Sequence, residues 1–321
     1  VKNYDFLRIC YHIDIPFLWG SERTWLMQNF QNSQRTSSSS SPCVSGNTLL
    51  LTSEGYRPIS ELERQEIEIW NGFEWSNVMP EIMGHHQRMV RVSFSNGTSL
   101  DCTKNHPFLL ANDCRIKAEQ LIVGDRLEKW DFPVVYAGYY DEEHDPYTAG
   151  FFSGSVLQGS RCTILKGDKK EVAPFLRLSS MQYRTTNIAV FFPESMLSQD
   201  YVPLERNVLY RVEWLAGLLD AAGSINSKTI FIYHKGKSFL NDVYLLLSTL
   251  GCHSILKPVK DYDDGRDSVY VLSINGWNAE KLLDRGVETF RLNIEGATTG
   301  HDTTRHVQIV SVQDIETEDN V

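Results

Sequence analysis

From residue 43 to about 135, apolar and polar positions alternate in short runs broken by Asn, Gly and Pro. EIEIWNGFEWSNV (66–78) and HHQRMVRVSFSNGTSLDCTKNHPFLL (85–110) read as strand–turn–strand, with Asn71-Gly72 and Asn96-Gly97 in the turns. Asn-Gly suits hairpin turns because both residues tolerate positive φ. The pattern predicts a compact all-β unit that ends near residue 135. The Ser-rich stretch 35–42 before it reads as a loop.

From residue 141 the period changes. Pro146 follows a run of acidic residues and precedes small and aromatic ones, as at a helix start. Residues 206–225 form a stronger helix pattern, stopped at Gly223. A third helix is predicted over 238–250, ended by Gly251, and a fourth over 278–286, ended by Gly286. TIFIYH (229–234) and SVYVLSI (268–274) read as strands. TRHVQIVSVQDI (304–315) then returns to β alternation. This order predicts a β-unit interrupted by an α+β insert, not two domains in tandem.

The 321 residues suffice for about two domains. The chain is 41% hydrophobic and 22% charged, ordinary for a globular protein. No apolar run approaches the ~20 residues of a membrane helix, so no membrane partner is expected. The N-terminus has no signal-peptide pattern, and the first residue is Val, which predicts a fragment. Cysteines at 10, 43, 102, 114, 162 and 252 show no CxxC pairing, which predicts buried thiols in a reducing cytoplasm, with Cys43 the exception developed next. Net charge is −10, and residues 141–300 hold 17 Lys+Arg against 20 Asp+Glu. Charge therefore gives no support to a grip on nucleic acid.

Chemistry concentrates in three ordered elements. The first is Cys43 with Ser45-Gly46-Asn47-Thr48, Gly55-Tyr56 and Ile59-Ser60-Glu61-Leu62. The second is Thr103-x-x-His106, preceded by Gly97-Thr98, and the third is Ala118-Glu119-Gln120-Leu121-x-x-Gly124-Asp125. A lone T-x-x-H carries no signal, but the three in this order resemble inteins and their mainly β Hint (hedgehog/intein) fold. The resemblance implies that Cys43 attacks the carbonyl of Pro42 in an N–S acyl shift and forms a thioester. His106 would protonate the departing amide nitrogen, and Thr103 would hold the same peptide by a hydrogen bond. The step needs no cofactor. The rigid Pro42 ring crowds the carbonyl and predicts a slow first step.

The insert carries a second resemblance. LAGLLDAAG (215–223) matches the LAGLIDADG motif of homing endonucleases at most positions, and TAGFFSGSV (148–156) is a weaker copy. The resemblance implies two helices packed through Ala149/Gly150 and Ala216/Gly217, with Mg²⁺ held by acids at the helix ends for cutting double-stranded DNA. The acid positions hold Ser155 and Ala222; Asp220 survives in the second copy, opposite Ser153 in the first. Ser and Ala carry no charge, so the expectation is a folded nuclease that does not cut, with Asp220 the one remaining candidate for metal. Lys228, Lys235, Lys237 and Lys257 are candidates for phosphate contacts or ordinary surface lysines.

The expected domains are a host (extein) segment over 1–42, the Hint domain over 43–140, the insert over 141–300 and a truncated Hint part over 301–321. The host polypeptide is the partner in cis. An intein ends in His-Asn before a downstream nucleophile; Asn320 has neither a preceding His nor a following nucleophile, which predicts that the C-terminal junction is missing. Three alternatives stand beside splicing with a vestigial nuclease: an active site-specific endonuclease, a DNA-binding module that does not cut, and hedgehog-type autoprocessing without splicing.

Overall fold

The computed structural model describes residues 42–82, 88–158, 161–179, 181–183, 186–260, 268–299 and 306–316. The expected host segment, apart from Pro42, and Asn320 lie outside the described residues. The chain divides into two compact units, residues 1–131 with 304–321, and residues 132–303.

The first unit is built of strands. β1 (Leu49–Thr52), β2 (Gly55–Pro58), β3 (Ile67–Trp70) and β4 (Trp75–Val78) form an antiparallel sheet in the order β2-β1-β3-β4. The Asn71-Gly72 hairpin is present, but its loop is four residues long because Trp70 pairs with Trp75. Asn71 Oδ1 accepts the amides of Phe73 and Glu74, and Gly72 takes φ +97°. A side chain at that φ would be strained.

The second sheet has the order β6-β5-β17-β9, formed by β6 (Ser99–Thr103), β5 (Arg88–Phe94), β17 (His306–Glu316) and β9 (Arg126–Glu128). β7 (Pro107–Leu109) and β8 (Arg115–Lys117) add a small hairpin. β17, distant in sequence, is an interior strand. Its first residues pair with β9, and after a register shift between Ile309 and Ser311 the rest pairs with β5. Val90, Val92, Phe94, Leu100, Leu127, Val307 and Ile309 form the core beneath.

In the second unit, α1 (Pro146–Ser153) starts at Asp145, whose Oδ2 accepts the Thr148 amide at 2.9 Å, with Pro146 in the first turn. α2 (Val208–Ala222) is capped by Asn207, which accepts from the Tyr210 amide. Between them lies a sheet ordered β10-β12-β11: β10 (Cys162–Leu165), β12 (Ile188–Phe191) and β11 (Met181–Tyr183). A 3-10 segment, Gly167–Phe175, follows β10. After α2 come β13 (Gly223–Asn226), β14 (Thr229–His234), α3 (Lys237–Thr249), β15 (Ile255–Lys260), β16 (Val269–Asn275) and α4 (Gly276–Asp284), with sheet order β13-β14-β16-β15. Gly251 ends α3 at φ +78°, with Cys252 N–H on Leu247 O and Gly251 N–H on Ser248 O. This is the pair of hydrogen bonds that closes a glycine-terminated helix.

The division falls at Asp131/Phe132, earlier than the expected break after residue 140. The reason is the segment 132–139. Val135 N–H donates to Thr249 O, Asn207 N–H donates to Tyr139 O, and the fully buried Arg211 guanidinium donates to Val135 O and Thr249 Oγ1. Burial pulls this guanidinium down to about 10.

Candidate functional site

Cys43 joins the second sheet as an added edge. Val44 bridges Cys102 in antiparallel fashion, Ser45 N–H donates to Asp101 O, and Thr103 N–H donates to Cys43 O at 3.0 Å. That register sets Thr103 opposite Cys43. The Thr103 hydroxyl oxygen accepts the Cys43 amide N–H at 3.0 Å, and the hydroxyl lies 3.4 Å from Cys43 O as a longer donor contact. The amide of the Pro42–Cys43 peptide is thus fixed by a side chain. Both residues are buried, at 4% exposure each. A buried amide of this kind contributes about 0.5–1.5 kcal/mol when paired and costs about 1–3 kcal/mol when left unpaired.

Thr103 pairs with Met89 on β5, and Met89 pairs with Ile315 on β17. Cross-strand partners point to one face. Cys43, Thr103, Met89 and Ile315 therefore form one row across the sheet, and Met89 and Ile315 pack against Cys43. This apolar cover pushes the Cys43 thiol up to about 11. Cys43 is a thiol, not half of a disulfide.

His106 follows Thr103 by one tight turn, its amide donating to Thr103 O at 2.9 Å. It is 1% exposed, its ring edge-on to Phe108, and its carbonyl accepts from Ala118 N–H at 2.8 Å. The third sequence element therefore buttresses the second: Ala118 holds His106, and Glu119 N–H donates to Lys104 O. Pro42 is half-buried beside this row. The sequence singled out Cys43, Thr103 and His106; it gave no sign of Met89 and Ile315, which reach the site only through strand pairing.

The two motif helices of the second unit meet backbone to backbone. A Cβ added to Gly150 would stand 1.8 Å from Trp214 O, and one on Gly217 would stand 2.0 Å from Tyr147 O. Only glycine permits this approach. Asp220 is fully buried at the end of α2. Its carboxylate accepts the Tyr147 hydroxyl (2.7 Å) and the amides of Phe290 (2.7 Å), Arg291 (3.0 Å) and Leu292 (2.9 Å). It clamps the segment after α4 and has no oxygen turned to an open site. Ser155 Oγ donates back to Phe151 O at 2.6 Å, and Ser153 Oγ donates to Tyr201 O at 3.5 Å. Ala222 offers no donor atom beyond its backbone.

Mg²⁺ takes an octahedral set of oxygens that includes ionised carboxylate. These residues do not fit it, because the single carboxylate is saturated by four donors. Among the described residues, no group of three His, Cys, Asp or Glu side chains could hold a metal ion. No helix among them is long and apolar enough to cross a membrane. Of the four lysines considered for phosphate, Lys228 donates to Gly296 O at 2.6 Å and Lys237 lies over the Tyr270 ring. Lys257 is exposed on β15.

Residues 210–285 match the model of a LAGLIDADG-like domain. The ribonucleoside-diphosphate reductase large subunit of Invertebrate iridescent virus 6 is 29% identical over 330 residues, covering 89% of this chain and 34% of that protein. The chain thus spans about a third of that relative's length. Among solved structures, mesophilic variants of the homing endonuclease I-DmoI align at 21% identity and TM-score 0.33, covering 44% of this chain and 93% of theirs. A mutant of the Ssp DnaB mini-intein aligns at 19% identity and TM-score 0.25, covering 29% of this chain and 63% of its own. Residues 210–285 thus match a LAGLIDADG-like domain and lie in a unit whose sequence interrupts a β-rich one.

Proposed function

We propose that the chain from Cys43 is a self-processing element of the intein type, whose first step is an N–S acyl shift at the Pro42–Cys43 peptide. The observation that carries the reading is the Cys43 amide held on the Thr103 hydroxyl, with His106 one turn further on. In the step, the Cys43 sulfur bonds to the Pro42 carbonyl carbon and its proton leaves. The carbon–nitrogen bond then breaks, and the nitrogen departs as the α-amine of Cys43 after taking a proton. With the thiol near 11, about one molecule in 10⁴ is thiolate at pH 7. Attack therefore needs the proton removed, before or as the sulfur–carbon bond forms. His106 is the residue assigned to carry the proton to the nitrogen. Thr103 accepts more strongly from the nitrogen as it gains charge.

The host in this reading is a ribonucleoside-diphosphate reductase large subunit. The match to the viral subunit supports it: 89% of the chain cannot be supplied by the residues before Cys43, so the viral sequence resembles the intervening element too. The LAGLIDADG-like insert descends from a nuclease on double-stranded DNA and no longer cuts. Saturation of Asp220 and the side chains at 155 and 222 support this.

The test is incubation of the full chain with dithiothreitol. A fragment ending at Pro42 should appear by mass spectrometry, and Cys43→Ala should abolish it. Equal release from Cys43→Ala would sink the reading. A supercoiled plasmid bearing the uninterrupted host site should stay intact with Mg²⁺; double-strand cutting would return the endonuclease alternative.

A further inference from the structure

A helix leaves its last four carbonyls without intrahelical donors, and its dipole concentrates negative charge there. For α2 these are Asp220 to Gly223, since the Gly223 N–H already donates to Leu219 O, at the end that carries the second LAGLIDADG motif. Three of the four are taken by cationic side chains. Arg291 donates from Nε to Asp220 O (2.6 Å) and from Nη2 to Leu219 O (3.0 Å), and again from Nη2 to Gly223 O (2.6 Å). Lys169 Nζ donates to Ala221 O at 2.5 Å. Lys169 comes from the 3-10 segment after β10 and Arg291 from the segment after α4, so two distant parts of the unit converge on one helix end. Asp168 pairs with Arg291 at 3.3 Å. The end of α1 is closed by a neutral amide: Gln199 Nε2 donates to Ser155 O at 2.5 Å and lies 3.4 Å from Phe152 O.

We propose that protein side chains have replaced the divalent metal at the ends of the helix pair. Lys169 and Arg291 supply the positive charge at α2, and Gln199 satisfies the carbonyls at α1. Two consequences follow. The unit keeps its helix pair without Mg²⁺. Restoring acids at 155 and 222 does not restore a metal site, because the incoming cation meets a guanidinium and an ammonium already bonded to the carbonyls, and Asp220 has no lone pair direction left to offer. The loss of cutting is thus fixed by residues outside both motifs. This inference deepens the reading of the insert as a non-cutting nuclease and is independent of the chemistry at Cys43.

The probe is Mn²⁺ alone, titrated into the full chain and followed by electron paramagnetic resonance and calorimetry. Neither the natural chain nor the S155D/A222D double variant should bind Mn²⁺ saturably below 1 mM, and chelator should leave the melting temperature unchanged. Arg291→Met should lower the melting temperature, with no recovery in Mg²⁺; if that variant fails to fold, Lys169→Met gives the same readout. Submillimolar Mn²⁺ binding by S155D/A222D overturns the inference while leaving the natural insert a nuclease that does not cut. Binding by the natural chain, with plasmid cutting, overturns both. Rescue of Arg291→Met or Lys169→Met by Mg²⁺ also overturns the inference, since it shows that a metal can take the cation's place.

Discussion

Thr103→Val isolates the contact on which the proposed first step depends. Val replaces the hydroxyl by a methyl and keeps the branched shape, so the β6 pairing with Met89 should survive. In the resting protein the Cys43 N–H···Oγ1 bond is neutral, with a net value of about 0.5–1.5 kcal/mol. As the carbon–nitrogen bond breaks, the nitrogen becomes a charged donor, and such a bond is worth about 1.5–3 kcal/mol. Only the difference, about 1–1.5 kcal/mol, bears on the rate. That predicts a fall in thioester formation of about 5- to 13-fold. Thr103→Ser keeps the oxygen and should stay within about twofold of the natural chain. The assay is a quenched time course of hydroxylamine-induced release of the segment before Cys43, with melting temperature measured in parallel. A folded Thr103→Val variant that reacts as fast as the natural chain refutes the reasoning.

Other outcomes can be checked directly. Gly217→Ala should destabilise the second unit by more than about 1–3 kcal/mol in denaturant titration, because its Cβ would stand 2.0 Å from Tyr147 O; helix propensity alone predicts a gain of about 1 kcal/mol, so the sign decides. Tyr147→Phe removes one donor from the buried Asp220 carboxylate and should cost about 1.5–3 kcal/mol, read as faster amide exchange at Phe290 and Leu292. Iodoacetamide should label exposed Cys114 first and Cys43 last among these two. Burial holds the Cys43 thiol protonated to about 11, so its labelling rate should rise about tenfold per pH unit between pH 7 and 9; a plateau in that range contradicts the assignment. Pro42→Gly relieves the crowded carbonyl and should speed thioester formation, measured by the same hydroxylamine assay.

Much of this fold was readable because local chemistry and tertiary structure agree. Asn207 and Gly223 bound α2, Gly251 ends α3 in a left-handed turn, and Asp145-Pro146 opens α1, each as the residue types dictate. The sheet β10-β12-β11 and the 3-10 segment Gly167–Phe175 were not legible. Their strands are three or four residues long, too short for a period to emerge, and Pro174 lies inside the 3-10 turn. At the site, Cys43 and the T-x-x-H pair could be picked out by type and order. Met89, Ile315, Lys169 and Arg291 could not, because ordinary hydrophobic and basic residues acquire meaning only from the distant backbone they meet. The boundary at 131 was hidden for the same reason: residues 132–139 look like the end of a β-unit, yet their carbonyls and amides are bonded within the second unit, to Arg211, Thr249 and Asn207.

The position of β17 also imposes a clock on synthesis. Ile315 packs against the cluster of Cys43 and Met89, but about 270 residues separate it from Cys43 in the chain. At ~5–20 residues per second, a ribosome needs roughly 14 to 54 s to travel that distance. Until then the apolar wall over Cys43 is incomplete, and the row from Cys43 through Thr103 and Met89 to Ile315 cannot close. The interruption thus acts as a delay line for the fold, holding the sheet open until the polypeptide on its far side has emerged.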